Sequence, residues 1–407
     1  MRFAAFVAPW LLDATVRFID SAARLPGVRL ALITCEPLER LPPRLRESVA
    51  AHWRIDDPMD PQQIVDAVRG LSAHAGRPVE RLISILEQLQ VPVALAREFF
   101  GIPGVDPATA ANFRDKHRMK DVLRAASVPV ARHRLVDAPA QALGFAAEVG
   151  FPLVAKPPDG AGAVDTFRLD DAAALRGWLA AAPPSVDAPR LLEEFLVGDE
   201  FTYDSVTIGG EVVWHSIACY RPTPLEALRT PWIQWVVLLP RGIGGQEFAE
   251  IRRVGPAALR ALGLGHGLSH MEWFRRPDGS VAVSEVGARP PGAGISSALG
   301  FAHDMDLYVE WPRLMLLDRF TPPQRRWAVG VAYLRGQGSG RIRGLRGVDE
   351  LRAELGHLVV EVKLPQVGAV PSGSYSGDGT LIVRHPDTAV VTAAIHQIVS
   401  RLKVDVG

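Results

Sequence analysis

The sequence predicts a mixed α+β protein with an α/β lobe at its N-terminal end. Short apolar runs alternate with helix-period patterns over residues 1–105, and the apolar runs further on come in pairs joined by glycine turns. A composition of 48 % hydrophobic and 22 % charged residues is ordinary for a globular chain. A chain of 407 residues can bury a sizeable core without disulfides, and at about 100–200 residues per domain two to four domains or lobes are expected.

Taken in order, FAAFV (3–7) reads as a strand and TVRFIDSAARL (15–25) as a helix. RLALITCE (29–36) reads as a strand, IVDAVRGLSAHA (64–75) as a helix and RLISIL (81–86) as a strand. GIPGVDPATA (101–110) is rich in turn formers and marks a first boundary near 105. RDKHRMKDVLRAASVPVARHRLV (114–136) reads as a basic helix and then a strand, and FPLVAKPPDGAGAVDTFRL (151–169) as strand, glycine loop, strand. In 190–218 a strand and a linker precede two strands turned at Gly209-Gly210, and 267–292 reads as a hairpin with a Gly/Pro-rich exit. Trp232 and Trp235 fall in a strand-and-loop stretch, where a tryptophan is more often core than binding surface. After about 320 come more strands, loops at 336–344 and 370–380, and a closing helix over 387–403 with one apolar face.

Lys+Arg and Asp+Glu are equal at 45 each, and no basic run stands out, so neither nucleic acid nor another polyanion is an expected partner. Two cysteines, Cys35 and Cys219, without metal-ligand spacing point to a reducing cytoplasm. The apolar stretch after Arg2 breaks at Asp13 and lacks a small-residue cleavage site, so a buried first strand is expected there rather than a signal peptide. No apolar run reaches the roughly 18 residues of a membrane span. His266 and His270 are four apart, but the glycines around them disfavour the helix that a zinc-binding pair would need.

The chemistry concentrates in the 267–292 hairpin. A two-residue turn at Asp278-Gly279 pairs Glu272 with Glu285 and His270 with Gly287. Residues two apart share a face, so both acids, His270 and Gly287 lie together, with Arg289 two further along. Two facing carboxylates repel, and a shared proton, a neighbouring cation or a bound metal must offset that. A hard divalent ion such as Mg²⁺ suits two carboxylates plus phosphate oxygens. A solvent-exposed hairpin would tolerate the same pair by screening, and a one-residue slip would undo the pairing.

The stretch from about 106 to 310 resembles the ATP-grasp superfamily. Asp115-Lys116, FPLVAKPPDGAGA, LLEEFLVGDEFTYD, SHMEW and SEVGARPPG resemble five of its motifs, in the family's order. The resemblance implies an ATP-grasp fold: a pre-ATP-grasp α/β domain (1–105), a nucleotide-binding domain (106–320, with a small lobe at about 130–200) and a β-rich C-terminal lobe (321–407). It implies Lys116 and Lys156 as phosphate-binding residues, as suits two ammonium point charges. Gly160 and Gly162 lie in a loop whose backbone N–H groups can approach phosphate. Glu193, by carboxylate or backbone, with Glu194 and the Leu196 backbone, would meet the adenine edge, and Glu200 the ribose hydroxyls. Glu272 and Glu285 would hold Mg²⁺ or Mn²⁺. Two positions depart from the pattern. Gly287 stands where the family often has Asn, which leaves a second metal ion more weakly held or completed by water. His270 stands where some members carry Arg, within reach of a transferred phosphoryl group. Arg289 corresponds to a substrate-clamping arginine.

The implied activity is that of an ATP-dependent carboxylate–amine ligase. A small-molecule carboxylate, such as an amino acid, becomes an acyl phosphate, and an amine displaces phosphate. The alternatives are a carboxylase using bicarbonate, although no biotinyl-lysine signature accompanies the chain, and a non-catalytic ATP-binding protein. A homodimer is common among similar enzymes.

Overall fold

The computed structural model describes residues 1–160, 162, 164–230 and 233–407; Trp232 and the alanines of the 159–163 loop lie outside the described residues. The first sheet is parallel and holds β1 (Arg2–Val7), β2 (Val28–Thr34), β3 (Ala51–Arg54) and β4 (Arg81–Ile83) in the order β3-β2-β1-β4. Its two central strands, β1 and β2, are apolar on both faces, as in a parallel sheet covered by helices on both sides. The helix Pro61–Ala75 shows why such segments start and stop where they do. Asp60 caps it by accepting from the Gln62 amide, Pro61 occupies its first turn, and Gly76 ends it in the left-handed conformation. The sequence reading of 1–105 holds for its five elements but misses β3 and the helix Gln90–Phe100. The turn-rich 101–110 stretch also already contains the start of the helix Pro107–Arg114, capped by Asp106.

A small antiparallel sheet follows: β5 (His133–Val136), β6 (Leu153–Lys156), β7 (Phe167–Leu169) and β8 (Arg190–Glu194), in the order β5-β8-β6-β7. Beside it runs a large antiparallel sheet. Its strands are β9 (Asp199–Ile208), β10 (Glu211–Arg221), β11 (Val236–Leu239), β12 (His266–Arg275), β13 (Val281–Gly287) and β14 (Ala328–Leu334). β15 (Ile342–Arg346) leaves it, and β16 (Val359–Lys363) and β17 (Gly379–His385) rejoin it, giving the order β13-β12-β9-β10-β11-β14-β17-β16. The tail strands therefore extend the same sheet that carries the acidic hairpin. The chain does not close in a helix as expected: after the helix Thr388–Arg401 it makes a last strand, β18 (Lys403–Val406), which pairs with β15. β15 likewise occupies part of the stretch read as the 336–344 loop.

Aromatic packing joins the first sheet to the large one. Trp311, on the helix Leu307–Leu317, meets Phe6 edge-on at 6.0 Å and Phe18 at 5.3 Å between ring centroids. Among the described residues no helix is long and apolar enough to cross a membrane.

One buried histidine makes the fold acid-sensitive. His303 is 3 % exposed, meets Trp214 edge-on and lies 3.3 Å from the Ser216 hydroxyl. Burial, then the Arg325 guanidinium, push its pKa down to about 3. The unfolded chain binds this proton below about pH 6.5 and the folded one does not until about pH 3, so stability falls as pH drops through that window. Melting temperature against pH should fall less steeply below pH 6.5 for His303→Gln than for the natural chain.

Candidate active site

The hairpin is built slightly differently from the expected two-residue turn. Strand pairing ends at Arg275 and Val281, and Arg276 and Ser280 close a three-residue loop in which Gly279 takes φ 84°. That loop alone would shift the register by one. A bulge between Glu272 and Trp273, with Ser284 as the extra residue, shifts it back, so Glu272 faces Glu285 and His270 faces Gly287 as expected. The displaced Ser284 carbonyl accepts from the Lys120 ammonium at 2.6 Å.

Every candidate residue named from the sequence lines one cleft of about 230 Å³ between the small sheet and the large one. Lys116 arrives there because Asp115 caps its helix, accepting from the His117 and Arg118 amides at 2.9 and 3.1 Å. The Lys116 amide donates to Pro158 O at 2.8 Å and its ammonium donates to Gly160 O, which tie the helix to the glycine loop. The same ammonium lies 3.0 Å from Glu285. Gly162 lines the cleft beside it at φ 64°.

Lys156, at the end of β6, lies 3.1 Å from Glu193 on the adjacent β8. Burial disfavours its charge, but the Glu193 and Glu285 carboxylates outweigh that and raise its pKa. Glu193 is 4 % exposed; burial opposes its ionisation, and Lys120 and Lys156 more than restore it, so its pKa is lowered. Its carboxylate is thus committed to two ammonium groups, and its backbone lies in the central strand β8, paired with His133 on one side and Val154 on the other. Glu194 is held by Arg132 at 2.7 Å and Arg276 at 3.4 Å, and Leu196 adds apolar lining. Glu285 is partly buried, which opposes its charge, yet Lys116 and Lys156 hold its pKa down. Glu200 is pushed the other way, first by burial and then by the Glu272 charge, so it holds a proton well above the usual carboxylate range.

His270 sits on β12 with Nδ1 2.7 Å from Asp204 on β9, directly opposite in register. Burial would lower its pKa, but Asp204 and then Glu272 raise it to about 9, so the imidazole is a cation at neutral pH. Asp204 is wholly buried and also accepts from the Thr202 hydroxyl at 2.7 Å. Asp204→Asn is expected to lower kcat about 100-fold, the scale of losing one preorganised charge stabiliser, with a smaller change in KM for ATP. Equal changes in both would assign Asp204 a merely structural role.

Arg289, at the hairpin exit, pairs through Nε with Glu87 and donates to Pro290 O at 2.9 Å. Glu87 comes from the turn after β4 and is 7 % exposed. A Cβ on residue 287 would lie 3.2 Å from that carboxylate and 3.6 Å from Arg289 Cγ. Glycine at 287 is therefore what lets the Glu87–Arg289 pair reach the floor of the cleft. Opposite, Tyr220 donates to Glu272 at 3.4 Å, and Trp235 stands between Tyr220 and Tyr375 at centroid distances of 5.1 and 4.8 Å. Trp235 is thus both core, at 1 % exposed, and cleft wall. His266 lies on the same strand as His270 and is turned to Leu314 O, 3.2 Å away.

Sequence reasoning missed Glu87, Lys120, Asp204 and the two tyrosines. Lys120 was within reach, since it lies one helical turn after Lys116 on the same face. Asp204 was too: Glu200, Thr202 and Asp204 alternate along a strand that is buried almost throughout, a polar stripe that needs a reason. Glu87 carries no such local signal.

No family model matches the chain. In sequence it is 28 % identical over 353 residues to protein y4rH of Sinorhizobium fredii, covering 85 % of this chain and 69 % of that one. It is 25 % identical over 237 residues to the L-arginine-specific L-amino acid ligase of Bacillus subtilis, covering 57 % and 56 %. With the D-alanine–D-alanine ligase of Pseudomonas putida the identity is 32 % over 207 residues, covering 47 % and 60 %. The chain thus spans little more than half the length of the ligases it matches. In structure, the L-amino acid ligase of Bacillus licheniformis superposes with a TM-score of 0.80 at 20 % identity, over 99 % of this chain and 98 % of that one. The N5-carboxyaminoimidazole ribonucleotide synthetase of Thermotoga maritima gives 0.71 at 19 % over the whole of both. The chain thus shares the ATP-grasp fold of these ligases over nearly its whole length.

Proposed function

We propose that the chain is an ATP-dependent carboxylate–amine ligase whose substrates include an amino acid. The observation that carries this reading is the pairing of Glu272 with Glu285 at the floor of a cleft that also holds Lys116, Lys156, the charged His270 and Arg289. The donor set fits a divalent cation: two facing carboxylates, beside the buried Glu200, whose pKa is raised first by burial and then by the Glu272 charge. Mg²⁺ at Glu272 and Glu285 would supply charge neutralisation between phosphate oxygens.

The ion pairs suit an exchange of partners. Lys116 and Lys156 leave Glu285 and Glu193 for triphosphate oxygens while Glu285 turns to the cation, so charge balance is kept as ATP enters. Lys120 stays on Glu193 and keeps it from becoming an unpaired buried charge. Arg289 receives the substrate carboxylate and Glu87 the ammonium of an amino acid, a complementary pair for a zwitterion. A carboxylate oxygen attacks the γ-phosphorus and ADP departs, with His270 opposing the charge on the transferred group. The ammonium first loses a proton, the amine nitrogen then attacks the acyl carbon, the C–O bond to phosphate breaks, and the second nitrogen proton ends on the departing phosphate. The sum is ATP, carboxylate and ammonium to amide, ADP, phosphate and one proton. Positioning and electrostatic stabilisation supply the rate.

The test is a panel of amino acids and short acids assayed for ADP release, with products identified by mass. The expected result is release that needs both an acid and an amine, with a product lighter than their sum by one water. Stimulation by bicarbonate alone would favour a carboxylase, and ATP binding without any stimulated hydrolysis a non-catalytic protein.

A further inference from the structure

Outside the cleft, on the far side of the helix that carries Lys116, three metal-ligating side chains converge. His117 and Asp121 lie one turn apart on the helix Lys116–Ala125, and His133 opens β5. One ligand atom from each comes within 4.8 Å of the other two. Asp121 spans the pair: one carboxylate oxygen is 3.2 Å from His133 Nε2 and the other 3.5 Å from His117 Nε2. We propose that His117, Asp121 and His133 form a binding site for a divalent transition-metal ion, zinc by its donor set, that ties the phosphate-lysine helix to the small sheet.

Two imidazoles and a carboxylate, with a solvent position left for water, make a common tetrahedral zinc set, whereas Mg²⁺ prefers all-oxygen ligands. His133 is prepared for the role. Its side chain is fully buried, and its Nδ1 is 3.2 Å from Ala131 O. With Arg124 turned away, that carbonyl can accept from Nδ1–H and leave the Nε2 lone pair for the cluster, as backbone carbonyls do for metal-bound histidines. The His117 ring is edge-on to His133 at 5.5 Å, and its Nδ1 is buried without a hydrogen-bond partner.

A cation already stands at this spot. Arg124 Nη2 lies 2.6 and 2.9 Å from the two His133 nitrogens and 3.6 Å from Asp121. The Arg124 side chain is 54 % exposed, so it can swing into solvent and give way to an ion. The location gives the ion leverage. His133 pairs in register with Glu193, whose carboxylate holds Lys156 and Lys120, and Lys116 and Lys120 share the helix with His117 and Asp121. An ion bridging that helix to β5 restrains the small sheet against the rest of the site.

The test is zinc titration of the full-length protein in millimolar Mg²⁺, with stoichiometry and melting temperature as readouts. The natural chain should bind one more equivalent of zinc than His117→Ala or Asp121→Asn, and only the natural chain should gain melting temperature from that ion. Each variant should weaken the site by at least about tenfold, while Arg124→Ala should tighten it. Both ligand variants change partly exposed positions, and His133→Ala adds a buried third arm. Cobalt should give the intense visible absorption of a four-coordinate site in the natural chain and in Arg124→Ala, but not in the His117, Asp121 or His133 variants. Equal zinc stoichiometry and affinity in the natural chain, His117→Ala and Asp121→Asn would overturn the proposal. Zinc bound at Glu272 and Glu285 is common to all these variants and leaves the difference intact.

Discussion

Glu285→Ala is expected to lower Mg²⁺-dependent turnover by about 10²–10³-fold, equivalent to roughly 3–4 kcal/mol of lost charge stabilisation. Two losses combine. The cation loses one of two facing carboxylates, and Lys116, now 3.0 Å from Glu285, loses the partner that holds its ammonium at the mouth of the glycine loop. Glu285→Gln separates the two, since it keeps the shape and a hydrogen-bond acceptor for Lys116 but not the charge for the metal. Single-turnover ADP formation measured over a range of Mg²⁺ concentrations should show both variants slow, with Glu285→Gln partly recovered at high Mg²⁺. Full activity in Glu285→Ala would remove Glu285 from the metal site.

Lys156→Met is expected to raise KM for ATP and lower kcat, with a combined loss in kcat/KM of about 10²–10³-fold. Methionine keeps the volume of the stem that continues β6 and removes only the ammonium. The buried Glu193 keeps Lys120, so the fold survives the change better than it would with an orphaned carboxylate. Lys156→Arg should not restore full activity, because a planar guanidinium cannot replace a compact point charge 3.1 Å from Glu193 in a buried slot. Steady-state kinetics of the three proteins, with melting temperatures as a control on folding, decide the point. Unchanged kcat/KM in Lys156→Met would contradict its role.

The acidic hairpin shows how the sequence could be right about a strand pairing for a partly wrong reason. The Asp-Gly signal placed the turn half a residue from its true centre, enough to shift the register by one, and the pairing of Glu272 with Glu285 survives only because the Ser284 bulge restores it. Periodicity does not mark a bulge in advance, but a polar Ser284 between apolar Val283 and the cleft-facing Glu285 is where one falls. Lys116, Lys156, Glu200, Glu272 and Glu285 were legible because each lies inside a local pattern: a helix start, a strand end, an alternating strand. Glu87 was not, because it meets Arg289 across 202 positions of chain, and only the packing of the first sheet against the hairpin exit brings them together. The closing strand β18 was missed for a related reason. It is four residues long, half-exposed, and earns its assignment only by pairing with β15, about sixty residues earlier.

The central claim is that a carboxylate is activated by the γ-phosphoryl group of ATP, and an oxygen label tests it directly. With the acid substrate labelled with ¹⁸O in its carboxylate, the account predicts that one labelled oxygen appears in each inorganic phosphate released during product formation. Label found in AMP would mean an adenylate in place of an acyl phosphate. Phosphate free of label, released at the same rate as product, would contradict the account.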